Sequence, residues 1–225
     1  MRPGASTHWT RPAAAANSTS TLVRPRRPDD TEGFAQGLTG LGHRHRKKGV
    51  NRRADADRLP AMMTAADVLS VLSVLREAGA DVVIAGGWGI DALIGAETRG
   101  HRDLDLLHRE EQEPALLAAL TAVGYAQTLD WRPARFVLSH PSGPEIDLHP
   151  LRFAPDGSAL QSSLDPQEPF RYPAECFVTG TIGGTRVRCI SVQQQIEFHQ
   201  GYEPGPADLH DMARLRAEFG VTTHF

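Results

Sequence analysis

From Thr64 onward the chain alternates between stretches with a clear apolar period and short breaks marked by glycine or proline. Val68, Leu69, Val71, Leu72, Val74 and Leu75 recur at helical spacing. Thr64 is a good N-cap, Asp67 stands three residues on as in a capping box, Met63 and Val68 occupy the staple positions, and Gly79 supplies the stop. A helix is predicted over 65–78. Residues 81–85 read as a short buried strand ended by Gly86 and Gly87, and 88–94 fit a short helix closed by Gly95. The order is strand, glycine turn, helix. Leu104, Leu106 and Leu107 with interleaved acids predict the next strand; Glu110 to Glu113 and Pro114 then open a helix carrying Leu116, Leu117, Leu120 and Val123 before Gly124. Strands at 135–139 and 145–149 flank Pro141-Ser142-Gly143-Pro144, a hairpin turn. Beyond Pro150 regularity is lost until 176–182 and 185–190, whose separator Gly183-Gly184 is a two-residue hairpin signal. Ser191 and Gln194 open a helix to about His199, and 206–219 set Leu209, Met212, Ala213, Leu215 and Phe219 largely on one side before Gly220. No internal repeat is visible.

The first sixty residues follow no such period. They hold 12 Lys and Arg against 5 Asp and Glu, including Lys47 and Lys48, the only lysines of the chain; the remaining residues hold 12 against 22. Rich in Pro, Ser, Thr, Gly and Arg, the segment 1–60 is expected to be a disordered basic tail, because it cannot bury enough apolar area to offset the entropy of ordering. Met62-Met63, directly before the first helix, offers an alternative translation start that would make the tail a start-site artefact. The folded part is expected to divide into a core over 61–150 and a C-terminal hairpin-and-helix region over 151–225.

At 225 residues, 40% apolar content and a formal charge of -3, the whole describes an ordinary globular protein. No apolar run approaches the ~20 residues a membrane span needs, and no signal-peptide pattern opens the chain. A cytoplasmic protein without a membrane partner is expected. Two cysteines, Cys176 and Cys189, are too few for a disulfide framework or a zinc site and read as buried thiols.

Candidate chemistry gathers in three places. They are Gly86-Gly87-Trp88-Gly89-Ile90-Asp91, Thr98-Arg99-Gly100-His101-Arg102-Asp103-Leu104-Asp105, and Glu145-Ile146-Asp147-Leu148-His149. Strand residues two apart project from one face at about 6.5–7 Å, so Asp103 and Asp105 can share hard cations while Leu104 and Leu106 face the core. Asp147 alternates with Ile146 and Leu148 in the same way and can add a third carboxylate from an adjacent strand. Paired divalent ions on such a cluster suit in-line phosphoryl or nucleotidyl transfer. Gly86 and Gly87 let backbone N–H groups approach a phosphate chain, and the helix behind them aims its positive end at the same place. Taken singly, a D-x-D on a strand reads as a solvated sheet face and a Gly-Gly as a turn.

In this order the motifs resemble the polymerase β-type nucleotidyltransferase superfamily. The stretches 86–91 and 98–106 further resemble its small antibiotic nucleotidyltransferases, the lincosamide enzymes and the aminoglycoside 2''-adenylyltransferases; 187–191, Phe198-His199-x-Gly201-Tyr202 and Asp208-Leu209-x-Asp211 look nearest the lincosamide branch. The resemblance covers about residues 62–220. It implies an α/β (α+β) fold of the polymerase β-like kind, a small mixed sheet with flanking helices and a smaller C-terminal hairpin-and-helix region. It implies Mg²⁺, two ions, on Asp103, Asp105 and Asp147, with Asp147 either completing the metal shell or accepting the proton of the substrate hydroxyl. Gly86 and Gly87 become holders of the phosphates of ATP or another nucleoside triphosphate. Basic help for the triphosphate falls to Arg99, Arg102, Arg186 or Arg188; Arg99 is the residue assigned to the nucleotide, although Arg99 and His101 can equally shape their loop. Trp88 and Asp91 are expected to pack and cap the short helix, and His199 and His210 to be ordinary helix-surface residues. The implied reaction moves a nucleoside monophosphate, AMP by preference, to a hydroxyl of a small cationic antibiotic with release of pyrophosphate. The acidic balance beyond residue 60 speaks against a nucleic-acid partner and for a cationic small molecule. RNA or protein nucleotidylation and a non-catalytic antitoxin-like module remain the alternatives, and the oligomeric state stays open, a homodimer included.

Overall fold

The structure, a computed structural model, describes residues 62–163 and 168–225. The expected basic tail over 1–60 lies outside the described residues. Helix α1 spans Ala65–Glu77 and opens as the sequence predicts: the Thr64 hydroxyl accepts from the Asp67 amide, and the Asp67 carboxylate accepts from the Thr64 amide at 2.9 Å. Strand β1 (Val82–Ile84), α2 (Gly86–Ile94), β2 (Asp103–Arg109), α3 (Glu113–Ala122), β3 (Ala126–Trp131), β4 (Arg135–Ser139) and β5 (Glu145–Phe153) follow. Two short strands, β6 (Ala159–Gln161) and β7 (Phe170–Tyr172), precede the hairpin β8 (Phe177–Ile182) and β9 (Thr185–Ile190), then α4 (Val192–Phe198) and α5 (Pro206–Phe219). Among the described residues no helix is long and apolar enough to cross a membrane.

All these strands join one mixed sheet ordered β3-β4-β5-β2-β1-β9-β8, with the β6–β7 ribbon attached to β5. β2 lies parallel to β5 and antiparallel to β1; β9 lies parallel to β1 and brings the C-terminal hairpin onto the same sheet. The boundary expected at residue 150 therefore falls inside β5. Strict alternation divides the two faces. Leu104 and Leu106 of β2, Ile146 and Leu148 of β5, and Phe136 and Leu138 of β4 are fully or almost fully buried against α1, α2 and α3. Each such side chain contributes about 1.5–3 kcal/mol by leaving water. A slip of one residue would drive Asp105 and Asp147 into that core, so the burial of the leucines pins the register that places the acids. A second cluster on the opposite face, with Leu107, Leu151 and Tyr172, closes the sheet beyond the acids.

The structure departs from the sequence expectation in four places. Gly86 and Gly87 are the first residues of α2 rather than a turn before it. β3 was not predicted; its side chains are largely exposed, so no apolar alternation marks it, and it forms the sheet edge. β5 runs on through Pro150 to Phe153. The stretch read as irregular contains β6 and β7, three residues each, too short to display a period. Cys176 and Cys189 are free and buried, and burial pushes their thiols up to about 12 and about 11.

Candidate active site

The site is built where β2 and β5 run side by side beneath the start of α2. Asp105 stands opposite Asp147, and Asp103 opposite Glu145, in parallel register. Carboxylate oxygens of Asp105 and Asp147 and a ring nitrogen of His149 lie within 4.8 Å of one another, all three close enough to share one cation. Asp103 lies two residues before Asp105 on the same face but outside that tight group. His149 thus points with Asp147, as strand alternation requires.

Burial and neighbours set the charges. Asp147 is 4% exposed, and burial first, then the nearby Asp105 and Asp103 carboxylates, raise its pKa against the opposing pull of His149 and Arg135. Arg135 Nη1 donates to Asp147 Oδ2 at 2.5 Å. Asp147 Oδ1 is buried and has no hydrogen-bond partner; His149 Nε2 is 3.6 Å away, beyond bonding distance. His149 loses by burial, yet Asp147 and Asp105 outweigh this and hold its pKa above the ordinary value. Its Nε2 lies 3.4 Å from Asp105 Oδ1. An oxygen-rich donor set with an unsatisfied buried carboxylate oxygen fits a hard divalent cation.

Gly86 explains how a helix can start against these acids. Its φ is +57°, and a Cβ there would lie 2.0 Å from Asp105 Oδ2. Only glycine lets the carboxylate and the helix N-terminus share the space. Gly86 and Gly87 are the first two helical positions, whose N–H groups lack intrahelical acceptors and so suit phosphate oxygens. Gln195 of α4 donates to the Gly86 carbonyl at 3.2 Å and steadies this turn from behind. The adjoining cleft of about 360 Å³ is lined by Gly86, Gly87, Asp103 and Asp105 on one side and by Arg99, Arg102, His199, Asp208 and Asp211 on the other.

The loop 95–102 forms the wall of the cleft. Asp91 does not cap α2; it is buried and accepts from Thr98 N at 3.1 Å and Thr98 Oγ1 at 2.7 Å, with His101 Nε2 at 2.6 Å. His101 packs against Trp88 with ring centroids 4.6 Å apart and the planes tilted by 36°. Arg99 forks onto Asp211 of α5, Nε to Oδ1 at 2.7 Å and Nη2 to Oδ2 at 2.6 Å, and this bond leads the rise in its pKa. Arg99 therefore reaches the cleft as one half of a loop-to-helix tie. Arg102 also lines the cleft, whereas Arg188 is engaged with Asp81 at 2.6 Å and does not line it. His199, expected on a helix surface, is 3% exposed, bonds through Nδ1 to the Gln195 carbonyl at 2.7 Å and faces the cleft. On its other side Asp208 of α5 brings a carboxylate oxygen to 3.7 Å from Nε2.

Sequence reading passed over Arg135, Gln161 and Tyr172, and it named Asp211 in a motif without its tie to Arg99. Alternation in β4 carries a signal for Arg135, since Phe136 and Leu138 facing the core leave Arg135 on the acid face. Nothing local marks Gln161 or Tyr172.

A Gly-Gly helix start laid against paired strand carboxylates on a mixed sheet defines a polymerase β-type nucleotidyltransferase. Residues 67–215 match the family described as Aminoglycoside-2''-adenylyltransferase, and the chain belongs to that family of nucleotidyltransferase enzymes. It is similar to a lincosamide resistance protein of Staphylococcus haemolyticus, 26% identical over 155 residues that cover 69% of this chain and 96% of the relative. Among solved structures it resembles the lincosamide antibiotic adenylyltransferase LnuA with lincomycin bound, at a TM-score of 0.64 and 26% identity, covering 70% of this chain and 99% of that one. ANT(2'')-Ia in complex with adenylyl-2''-tobramycin shares the fold, at a TM-score of 0.54 and 20% identity, covering 68% and 87%.

Proposed function

We propose that the protein transfers a nucleoside monophosphate, AMP by preference, from a nucleoside triphosphate to a hydroxyl of a lincosamide or aminoglycoside, releasing pyrophosphate. The observation that carries this reading is the Asp105–Asp147 pair set against the Gly86 helix start. In the reaction the acceptor oxygen attacks the α-phosphorus, the bond to the β-phosphate bridging oxygen breaks, and the hydroxyl proton passes to the protein. Asp147 Oδ1 is the atom to receive it. Arg135 occupies the other oxygen, Oδ1 is unpartnered, and a pKa raised by burial makes the carboxylate a better base nearer neutral pH. Gly86 and Gly87 present their N–H groups to the phosphates, with Arg102 along the same cleft and Arg99 holding its wall. Asp103 and Asp105 would hold Mg²⁺, two ions, with Asp147 at their edge. Bound Mg²⁺ supplies Lewis-acid polarisation of the phosphoryl group and neutralises charge on the leaving pyrophosphate.

The relatives named for lincosamide resistance and lincomycin binding support the lincosamide as acceptor, as does the acidic balance of the folded part. A triphosphate co-substrate and two free thiols fit a cytoplasmic site of action. The test is pyrophosphate release with Mg²⁺ and each of the four nucleoside triphosphates across a panel of lincosamides and aminoglycosides. Release that needs acceptor, nucleotide and metal together is expected; nucleotide binding without release on any acceptor refutes the reading.

A further inference from the structure

His149 stands beside Asp105 and Asp147 where a third metal ligand would stand, and the bonds on the far side of its ring decide what it does there. Gln161 of β6 is 6% exposed. Its Nε2 lies 3.1 Å from the Ala134 carbonyl oxygen and 3.1 Å from His149 Nδ1, and its Oε1 accepts from the Tyr172 hydroxyl at 2.6 Å. A backbone carbonyl only accepts, so the amide end facing Ala134 must be the NH₂; the reverse orientation would set two acceptors against each other. One NH₂ hydrogen then goes to Ala134 and the other to His149 Nδ1, which must offer its lone pair, so this bond selects the neutral ring against the charged form that the neighbouring carboxylates favour. A neutral imidazole carries its single proton on the remaining nitrogen. Tyr172 itself is fixed by the rings of Phe177 and Phe198, at centroid distances of 6.0 and 5.1 Å.

We propose that the buried Tyr172–Gln161 brace holds His149 as the Nε2–H tautomer, making it a positioning residue that donates toward Asp105 and not a metal ligand. This rests on the nucleotidyl-transfer reading of the same site. A protonated Nε2 has no lone pair for a cation, so the ligand shell is left to carboxylate oxygens, which select Mg²⁺ or Mn²⁺ over Zn²⁺. The same amide grips both sides of Asp147. Ala134 precedes Arg135, which donates to Asp147 Oδ2, and His149 stands 3.6 Å from Oδ1. The ribbon of β6 and β7 thereby orients the third carboxylate without touching it.

The test uses the full chain with ¹⁵N-labelled histidine and long-range ¹H–¹⁵N spectra recorded above neutral pH, with His149 assigned by the resonance lost in His149→Gln. The expected pattern is Nε2–H, unchanged on saturation with Mg²⁺. A ring protonated on Nδ1, a doubly protonated ring, or loss of the Nε2 proton when Mg²⁺ binds would overturn the proposal. In Gln161→Glu the acceptor placed at Nδ1 should move the proton there, lower kcat about 10–100-fold with the nucleotide KM little changed, and raise the relative affinity for Zn²⁺. Retention of the Nε2–H pattern in that variant would also overturn it. Both spectra are read without turnover, so an enzyme inactive on every acceptor would refute the functional reading alone.

Discussion

Asp147→Asn removes one charge at constant shape from the more buried carboxylate of the Asp105–Asp147 pair, and the structure separates its effect on folding from its effect on catalysis. Two terms act on stability with opposite sign. The raised pKa of Asp147 means that its charge is held at a cost to the fold, which the amide relieves. The variant also loses the charged acceptor of Arg135. Breaking a fully buried pair costs about 3–5 kcal/mol when the remaining charge is stranded. Arg135 is not stranded: its side chain is 20% exposed, its guanidinium lies 4.9 Å from the Trp131 ring, and the amide oxygen can still accept from it. The two terms should nearly cancel, leaving a change of about 1 kcal/mol or less. Catalysis has no such compensation. Loss of a general base lowers the chemical step by about 10²–10⁴-fold, or about 2.7–5.4 kcal/mol of barrier at 1.36 kcal/mol per decade. Single-turnover pyrophosphate release would report the step, Mn²⁺ and nucleotide titrations the binding, and urea denaturation the fold. Unchanged binding with a rate down by this amount makes Asp147 the base, whereas a parallel fall in Mn²⁺ affinity makes it a ligand. A rate within threefold of wild type, or a stability loss as large as about 3 kcal/mol, would refute the reasoning.

Gly86→Ala should be far more damaging than Gly87→Ala. The first sets a Cβ 2.0 Å from Asp105 Oδ2 at a left-handed φ, whereas the second, without a left-handed φ, meets Arg99 Nη2 and the buried His101 ring at 2.5–2.6 Å and leaves Asp105 in place; a displaced Asp105 should lower turnover about 100-fold, and equal activities would count against the cradle. Arg99→Ala strands the buried Asp211 carboxylate, and since Arg99 is 25% exposed the loss in urea denaturation should be about 2 kcal/mol, below the cost for a fully buried pair. Thr64→Ala should cost about 1 kcal/mol. It should also flatten the acid limb of the stability profile: Asp67 has its pKa lowered first by the Thr64 hydroxyl, so its contribution is present above the ordinary carboxyl value of 3.8 and lost as pH falls through the folded value. A chain beginning at Met62 should melt at the wild-type temperature in calorimetry, because the first sixty residues lack any core-forming pattern; a large drop would show that they pack on the fold.

What the sequence determined by itself is what short-range physics controls. The capping box of Thr64 and Asp67 and the apolar period behind it specify α1 within one residue, and the Gly183-Gly184 pair specifies the β8–β9 hairpin. The alternation of Asp103, Asp105 and Asp147 with aliphatics is enough to predict acids on one face and core on the other. Tertiary structure decided what those acids meet. Parallel pairing of β2 with β5 spans some forty residues and is fixed by the joint burial of Leu104, Leu106, Ile146 and Leu148, which no local window contains. Arg99 finds Asp211 across 112 positions, and Gln161 reaches His149 from a three-residue strand too short to carry a period. His199 reads as a surface residue in the sequence because polar side chains usually stay in water, and nothing local shows what Arg135 or Asp211 will meet. Here His199 and Asp211 are buried, Arg135 meets Asp147 from the neighbouring strand and Asp211 meets Arg99 from 112 positions away, so these roles exist only once the sheet and α5 have closed around the cleft.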